Sequence, residues 1–109
     1  MEKVFNKLVR DNIPSIIENN GEKAFTRTLE DEEYRSELYK KLIEETDEVI
    51  NSNTKEELLE ELGDVLEVLR TIALLEGKEL DDVVDIAKQK RLKRGGFERR
   101  IFLIKTNSN

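Results

Sequence analysis

Apolar residues recur at helical spacing after Asp31, at Tyr34, Leu38, Leu42 and Val49, and the run breaks at the polar residues 51–53. This pattern predicts an amphipathic helix with Asp31 as its cap. A second helix starts at Thr54, which forms a capping-box pair with Glu57, and continues through Leu58, Leu62, Val65, Leu69 and Ile72 to about Gly77. The short break between them makes an antiparallel hairpin. A third helix is predicted from about Glu79 to Lys93, with Leu80, Val84 and Ala87 in register and Gly95 and Gly96 as its stop. Upstream, residues 14–20 read as a short helix with Pro14 in its first turn and Gly21 at its end.

Two segments carry strand-like composition, Lys23 to Leu29 and Arg99 to Ile104, and are expected to form a small two-stranded β element. Residues beyond about 105 read as a loose tail. The fold class is therefore mainly all-α, with one domain over residues 1–109. Two long helices and a shorter one cannot cover their own apolar faces, so a homodimer or higher homo-oligomer completing a four-helix-bundle-like core is expected.

Acidic residues enter this picture at particular angles. Stepping ~100° per residue from Leu38, Glu45 falls at about −20°, inside the apolar stripe, and Glu48 at about −80°, on its border. Glu44 and Asp47 point away and read as solvent-facing charge. On the second helix, with Leu58 at zero, Glu61 falls at about −60° and Asp64 at about −120°, along one flank of the apolar face. Each helix thus offers an acidic i,i+3 pair beside its packing face. An antiparallel register placing Glu48 opposite Glu61 and Glu45 opposite Asp64 brings the four carboxylates together. Such a cluster needs a multivalent cation or the competing arrangement, salt bridges to Lys or Arg.

Composition narrows the chemistry. Cys and His are both absent. That removes disulfides, thiolate nucleophiles, His-based triads and the common zinc sites. An all-oxygen donor set favours Mg2+, with Mn2+ as a substitute. The formal net charge of −6 argues against a nucleic-acid polymer as partner. No apolar run approaches the ~20 residues of a membrane span, and a cytoplasmic location is expected. Basic residues also pair at i,i+3. Lys7 and Arg10 read either as a clamp on phosphate or as partners of the acidic helices. Arg91 and Arg94 extend the apolar stripe of the third helix and Lys90 flanks it, where the macrodipole alone also favours cations. Tyr34, Phe97 and Phe102 can stack on a base or pack in a core.

Glu44-Glu45-x-x-Glu48, followed after twelve residues by Glu61-x-x-Asp64, resembles the EExxE…ExxD signature of MazG-type all-α nucleoside triphosphate pyrophosphohydrolases. Residues 6–14 (NKLVRDNIP) and 90–97 (KRLKRGGF) resemble the flanking segments of a phosphoribosyl-ATP pyrophosphohydrolase-like branch. Asn12 departs from that pattern, in which a basic residue is usual, and the departure bears on substrate contact. The resemblance implies Mg2+-dependent cleavage of a nucleotide between its α and β phosphates, giving a monophosphate and pyrophosphate. It implies metal ligation by Glu45, Glu48, Glu61 and Asp64, and tilts Lys90 and Arg94 toward phosphate. Glu45 or Glu48 is the candidate base, because burial raises a carboxyl's pKa toward neutrality, although a metal partner pushes it back down. The alternatives are the phosphoribosyl-ATP pyrophosphohydrolase of histidine biosynthesis and a non-catalytic acidic helical dimerisation module.

Overall fold

A computed structural model describes residues 1–108 and contains four helices, α1 (Ile13–Asn19), α2 (Asp31–Ile50), α3 (Lys55–Leu75) and α4 (Leu80–Arg94). The fold class is all-α, as the periodicity predicts; no strand forms among the described residues. No helix is long and apolar enough to cross a membrane.

The α3 start shows why the helices begin where they do. Glu57 donates its backbone N–H to Thr54 Oγ1 at 3.1 Å, and the Asn53 N–H donates to Glu57 Oε2 at 3.0 Å. Those bonds satisfy groups left orphaned at a helix N-terminus. At α2 the start differs from expectation: Glu30, not Asp31, is the N-cap, and its side chain makes no capping bond. Asp31, Glu32 and Glu33 instead fill the first turn, where their charge opposes the positive end of the helix dipole. α4 is capped reciprocally by Glu79 and Asp82 and ends at Gly95, whose φ of 82° suits a residue without Cβ. Arg91, Lys93 and Arg94 occupy its last turn, complementing the dipole there.

α2 and α3 pack along one another as the expected antiparallel hairpin, whereas α4 packs on α3 alone. The core is thin. Its buried apolar side chains are Leu38, Val68 and Ala73. Val68, about 80° from Leu58, is buried, whereas Leu62, expected in the packing stripe, is exposed. α4 has no buried residue. The radius of gyration is 18.8 Å and the extents are 66 × 35 × 25 Å. A compact chain of this length has a radius near ~13 Å. The molecule is elongated, with its helices laid out rather than gathered.

Residues 23–29 and 101–104 are irregular in the single chain, and Arg100 adopts a φ of 60° after a turn at 98–99. An isolated two-stranded ribbon buries too little apolar surface to stand by itself. Replacing Thr54 with Ala removes the α3 cap and is expected to lower stability by about 1 kcal/mol. Urea unfolding should show a lower midpoint with an unchanged slope; an unchanged midpoint would remove the cap from this account.

Candidate functional site

The α2–α3 register brings two acidic pairs into one cluster. Glu45 and Glu48 lie one turn apart on α2, Glu61 and Asp64 one turn apart on α3, and a carboxylate oxygen from each lies within 4.8 Å of the others. Glu45 is on the inward face of α2 with Leu38 and is only 7% exposed. Glu61 and Asp64 are partly buried beside it, and Glu48 stands at the open edge. The sequence angles are therefore realised: an acid inside the apolar stripe is an acid inside the seam.

Proximity without donors makes this cluster unusual. Glu45 Oε2 and Glu61 Oε2 are both buried and have no hydrogen-bond partner. A charged oxygen removed from water in that condition carries a desolvation cost that nothing in the seam offsets. The titration behaviour follows. Burial pushes the Glu45 carboxyl above the ordinary carboxylate range, the adjacent Glu48 and then Asp64 push it further, and Lys41 pulls the other way. For Glu48 the leading cause is the adjacent Glu61 carboxyl, followed by burial. These effects are those expected of like charges sharing a site.

Positive charge reaches the cluster from two places. Lys41 Nζ lies 3.6 Å from Glu45 Oε1 and 3.4 Å from Glu44 Oε1. From the segment before α1, Arg10 Nη2 donates to Asp64 Oδ1 at 2.7 Å, and Lys7 Nζ lies 3.5 Å from Glu44 Oε1. Lys7 and Arg10 thus partner the acidic helices in the free chain, one of the two arrangements that their spacing allows. Lys41 was not singled out from sequence, although its i,i+3 and i,i+4 spacing to Glu44 and Glu45 is the signal that locates it. Glu44 does not simply face solvent; it is partly buried and binds both lysines, whereas Asp47 is exposed as expected.

Lys90 and Arg94 are exposed on α4, which packs on α3 and not α2, and neither forms an ion pair among the described residues. The single chain does not bring them to the carboxylates. Tyr34 is partly buried, but Phe97 and Phe102 are exposed and belong to no core here. Two open depressions, one lined by Asp31, Glu32, Arg35 and Leu75 and one running from Arg27 to Lys40, share no residue with the cluster.

Four oxygen donors, two of them buried and unpartnered, fit a divalent cation of hard character. In comparisons with known proteins, residues 34–95 match the family model of the MazG nucleotide pyrophosphohydrolase domain, a stretch that contains all four carboxylates. No curated protein and no solved structure gives a significant match.

The raised carboxyls have a consequence for stability without metal. Glu45 and Glu48 hold protons more tightly folded than unfolded, so the folded state binds more protons at pH values above the ordinary 4.5. The contribution of these two groups to stability is then largest at low pH and falls as pH rises from about 4.5 through the raised values. In EDTA, melting temperature should decline across that window, and Glu45→Gln should flatten the decline. A curve that rises with pH and is indifferent to Glu45→Gln would show that the cluster is not under charge strain.

Proposed function

We propose, from the premise that this chain belongs to the MazG nucleotide pyrophosphohydrolase domain family, that it hydrolyses a nucleotide between its α and β phosphates. The products are a nucleoside monophosphate and pyrophosphate, and the cofactor is Mg2+, with Mn2+ as a substitute. The observation that carries the reading is the convergence of four carboxylates with two buried, donorless oxygens at a helix seam. A solvated acidic face, as in a non-catalytic dimerisation module, has no reason to hold its carboxylates there.

Glu45, Glu48, Glu61 and Asp64 are the residues that would hold the metal. When bound, a divalent cation neutralises phosphate oxygens and makes a nearby water more acidic. The chain's own contributions are then charge, orientation and a proton acceptor. Water adds to the α-phosphorus as the anhydride bond to the β-phosphate breaks, and its proton passes to a carboxylate, for which Glu45 and Glu48 are the candidates. In the metal-free chain burial and neighbouring acids raise both carboxyls, which favours proton acceptance near neutral pH, whereas a bound cation would pull them back down. Lys7 and Arg10 can exchange their carboxylate partners for phosphate oxygens once those carboxylates are engaged, because both already stand at the cluster's rim. Lys90 and Arg94 are assigned to phosphate contact by resemblance; in a single chain nothing holds them away from an anion.

The working unit is a homodimer or higher homo-oligomer. The elongated shape and the thin core of the single chain support this, since the exposed apolar side chains of α2, α3 and α4 need cover that one chain lacks.

Adding Mg2+ during thermal unfolding should raise the midpoint, and Glu48→Gln or Glu61→Gln should abolish the rise. Pyrophosphate release should be seen on at least one member of a panel of ribonucleotides, deoxyribonucleotides, modified nucleotides and phosphoribosyl-ATP, and should disappear in the same variants. Activity on phosphoribosyl-ATP alone would point to the histidine-pathway reaction. No thermal response to Mg2+ or Mn2+, together with silence across the panel, would sink the enzymatic reading.

A further inference from the structure

Residues 1–12 precede the first helix and form no helix or strand, yet they reach both walls of the acidic seam. Lys7 Nζ lies 3.5 Å from Glu44 Oε1 on α2, and Arg10 Nη2 donates to Asp64 Oδ1 on α3 at 2.7 Å. Leu8 and Val9, between the two cations, are half-buried, whereas residues 1–7 are exposed. The segment is therefore a strap laid over the rim of the cluster, held by two ion pairs and two apolar side chains.

The two ion pairs differ in what they occupy. Glu44 stands outside the group of four carboxylates, but Asp64 is one of the four whose oxygens lie within 4.8 Å of one another. A hard divalent cation sits about 2.0–2.6 Å from its oxygen ligands. Arg10 Nη2, at 2.7 Å from Asp64 Oδ1, would then stand within about 5 Å of a dication held through that oxygen. Like charges at that separation repel, and guanidinium and metal draw on the same negative charge. Lys41 lacks the same freedom: it is fixed on α2 one turn before Glu45, and its nearer partner is Glu44, at 3.4 Å against 3.6 Å. The Arg10 side chain can swing away, because its backbone belongs to the strap and not to either helix of the seam. Its hold is also weak. The two side chains are 58% and 40% exposed, and an exposed pair changes an equilibrium by about fivefold at most.

We infer that the Arg10–Asp64 ion pair is a latch that competes with the metal: an ion at the four carboxylates releases Arg10 from Asp64, and the freed guanidinium becomes available to an anionic phosphate group entering over the same rim. Metal and anion binding are thereby coupled, each raising the affinity of the other, because the ion removes the carboxylate partner that an incoming phosphate would otherwise have to displace. Resting on the metal reading of the proposed function, this competition makes metal binding weaker in the absence of phosphate than the four carboxylates alone would give.

Calorimetric titration of Mn2+ into the wild type, Arg10→Gln and Lys7→Gln reads the competition without catalysis, with circular dichroism to follow helix content. Arg10→Gln should bind Mn2+ about threefold more tightly than the wild type, within the range an exposed ion pair allows. Lys7→Gln removes an equal charge whose partner lies outside the four carboxylates, and should change affinity by a smaller factor. Brief trypsin digestion of the wild type reads the latch itself, because cleavage needs a free Lys or Arg side chain. Mg2+ should speed cleavage after Arg10, affect cleavage after Lys7 less and slow cuts within the helices, and inorganic pyrophosphate added under excess Mg2+ should reverse the first effect. Unchanged or weaker Mn2+ affinity in Arg10→Gln overturns the inference, since Arg10 would then be a bystander or a support that orients Asp64. Equal gains in Arg10→Gln and Lys7→Gln overturn it too, as general charge and not a shared carboxylate. So does cleavage after Arg10 that Mg2+ alone fails to speed, or that pyrophosphate fails to slow. Absence of Mn2+ binding in both the wild type and Arg10→Gln is a different result, which removes the metal reading and the latch with it.

Discussion

Two buried carboxylate oxygens, Glu45 Oε2 and Glu61 Oε2, sit in the α2–α3 seam with no hydrogen-bond donor, and much of the molecule's charge is arranged around that condition. Glu48 and Asp64 crowd the same space. Like charges at such distances can be relieved by protonation, by basic neighbours or by a cation. The free chain uses the first two: Glu45 and Glu48 are shifted toward their neutral forms, and Lys41 and Arg10 stand against Glu45 and Asp64. Relief stays partial, because the two orphaned oxygens remain. The cost of that seam makes sense in a protein that binds something doubly charged there.

The same constraint bears on architecture. A hairpin that places carboxylates in its seam has given up part of its hydrophobic contact, and its buried apolar core is reduced to Leu38, Val68 and Ala73. α4 adds no buried residue. The chain therefore leaves large apolar side chains exposed on α2, α3 and α4 and along residues 97–104.

Much of this was readable before folding. The 3.6-residue periodicity located α2, α3 and α4, Pro14 and Gly21 located α1, the Thr54 and Glu57 pair located one start, and the position of Glu45 within an apolar stripe marked it as an inward acid. These are local properties, set by how side chains project from a single helix. Expectations that involved other parts of the chain fared less evenly. Leu62 shared an apolar stripe with Leu58 but is exposed, whereas Val68, on the border of that stripe, is buried. Glu44, which angle alone sent to solvent, is held by Lys7 and Lys41, one of them reaching in from before α1.

Sequence by itself determined the helices and the two acidic pairs, since spacing along a helix decides which residues share a side. It also excluded imidazole and thiolate chemistry through the absence of His and Cys. Only the tertiary structure decided that the pairs converge within 4.8 Å, which oxygens lose every donor, and which of Lys7, Arg10, Lys41, Lys90 and Arg94 reach them. The physical reason is that convergence depends on the rotation and register of one helix against another. Those are set by packing between segments far apart in the chain, and no single helix's periodicity encodes them.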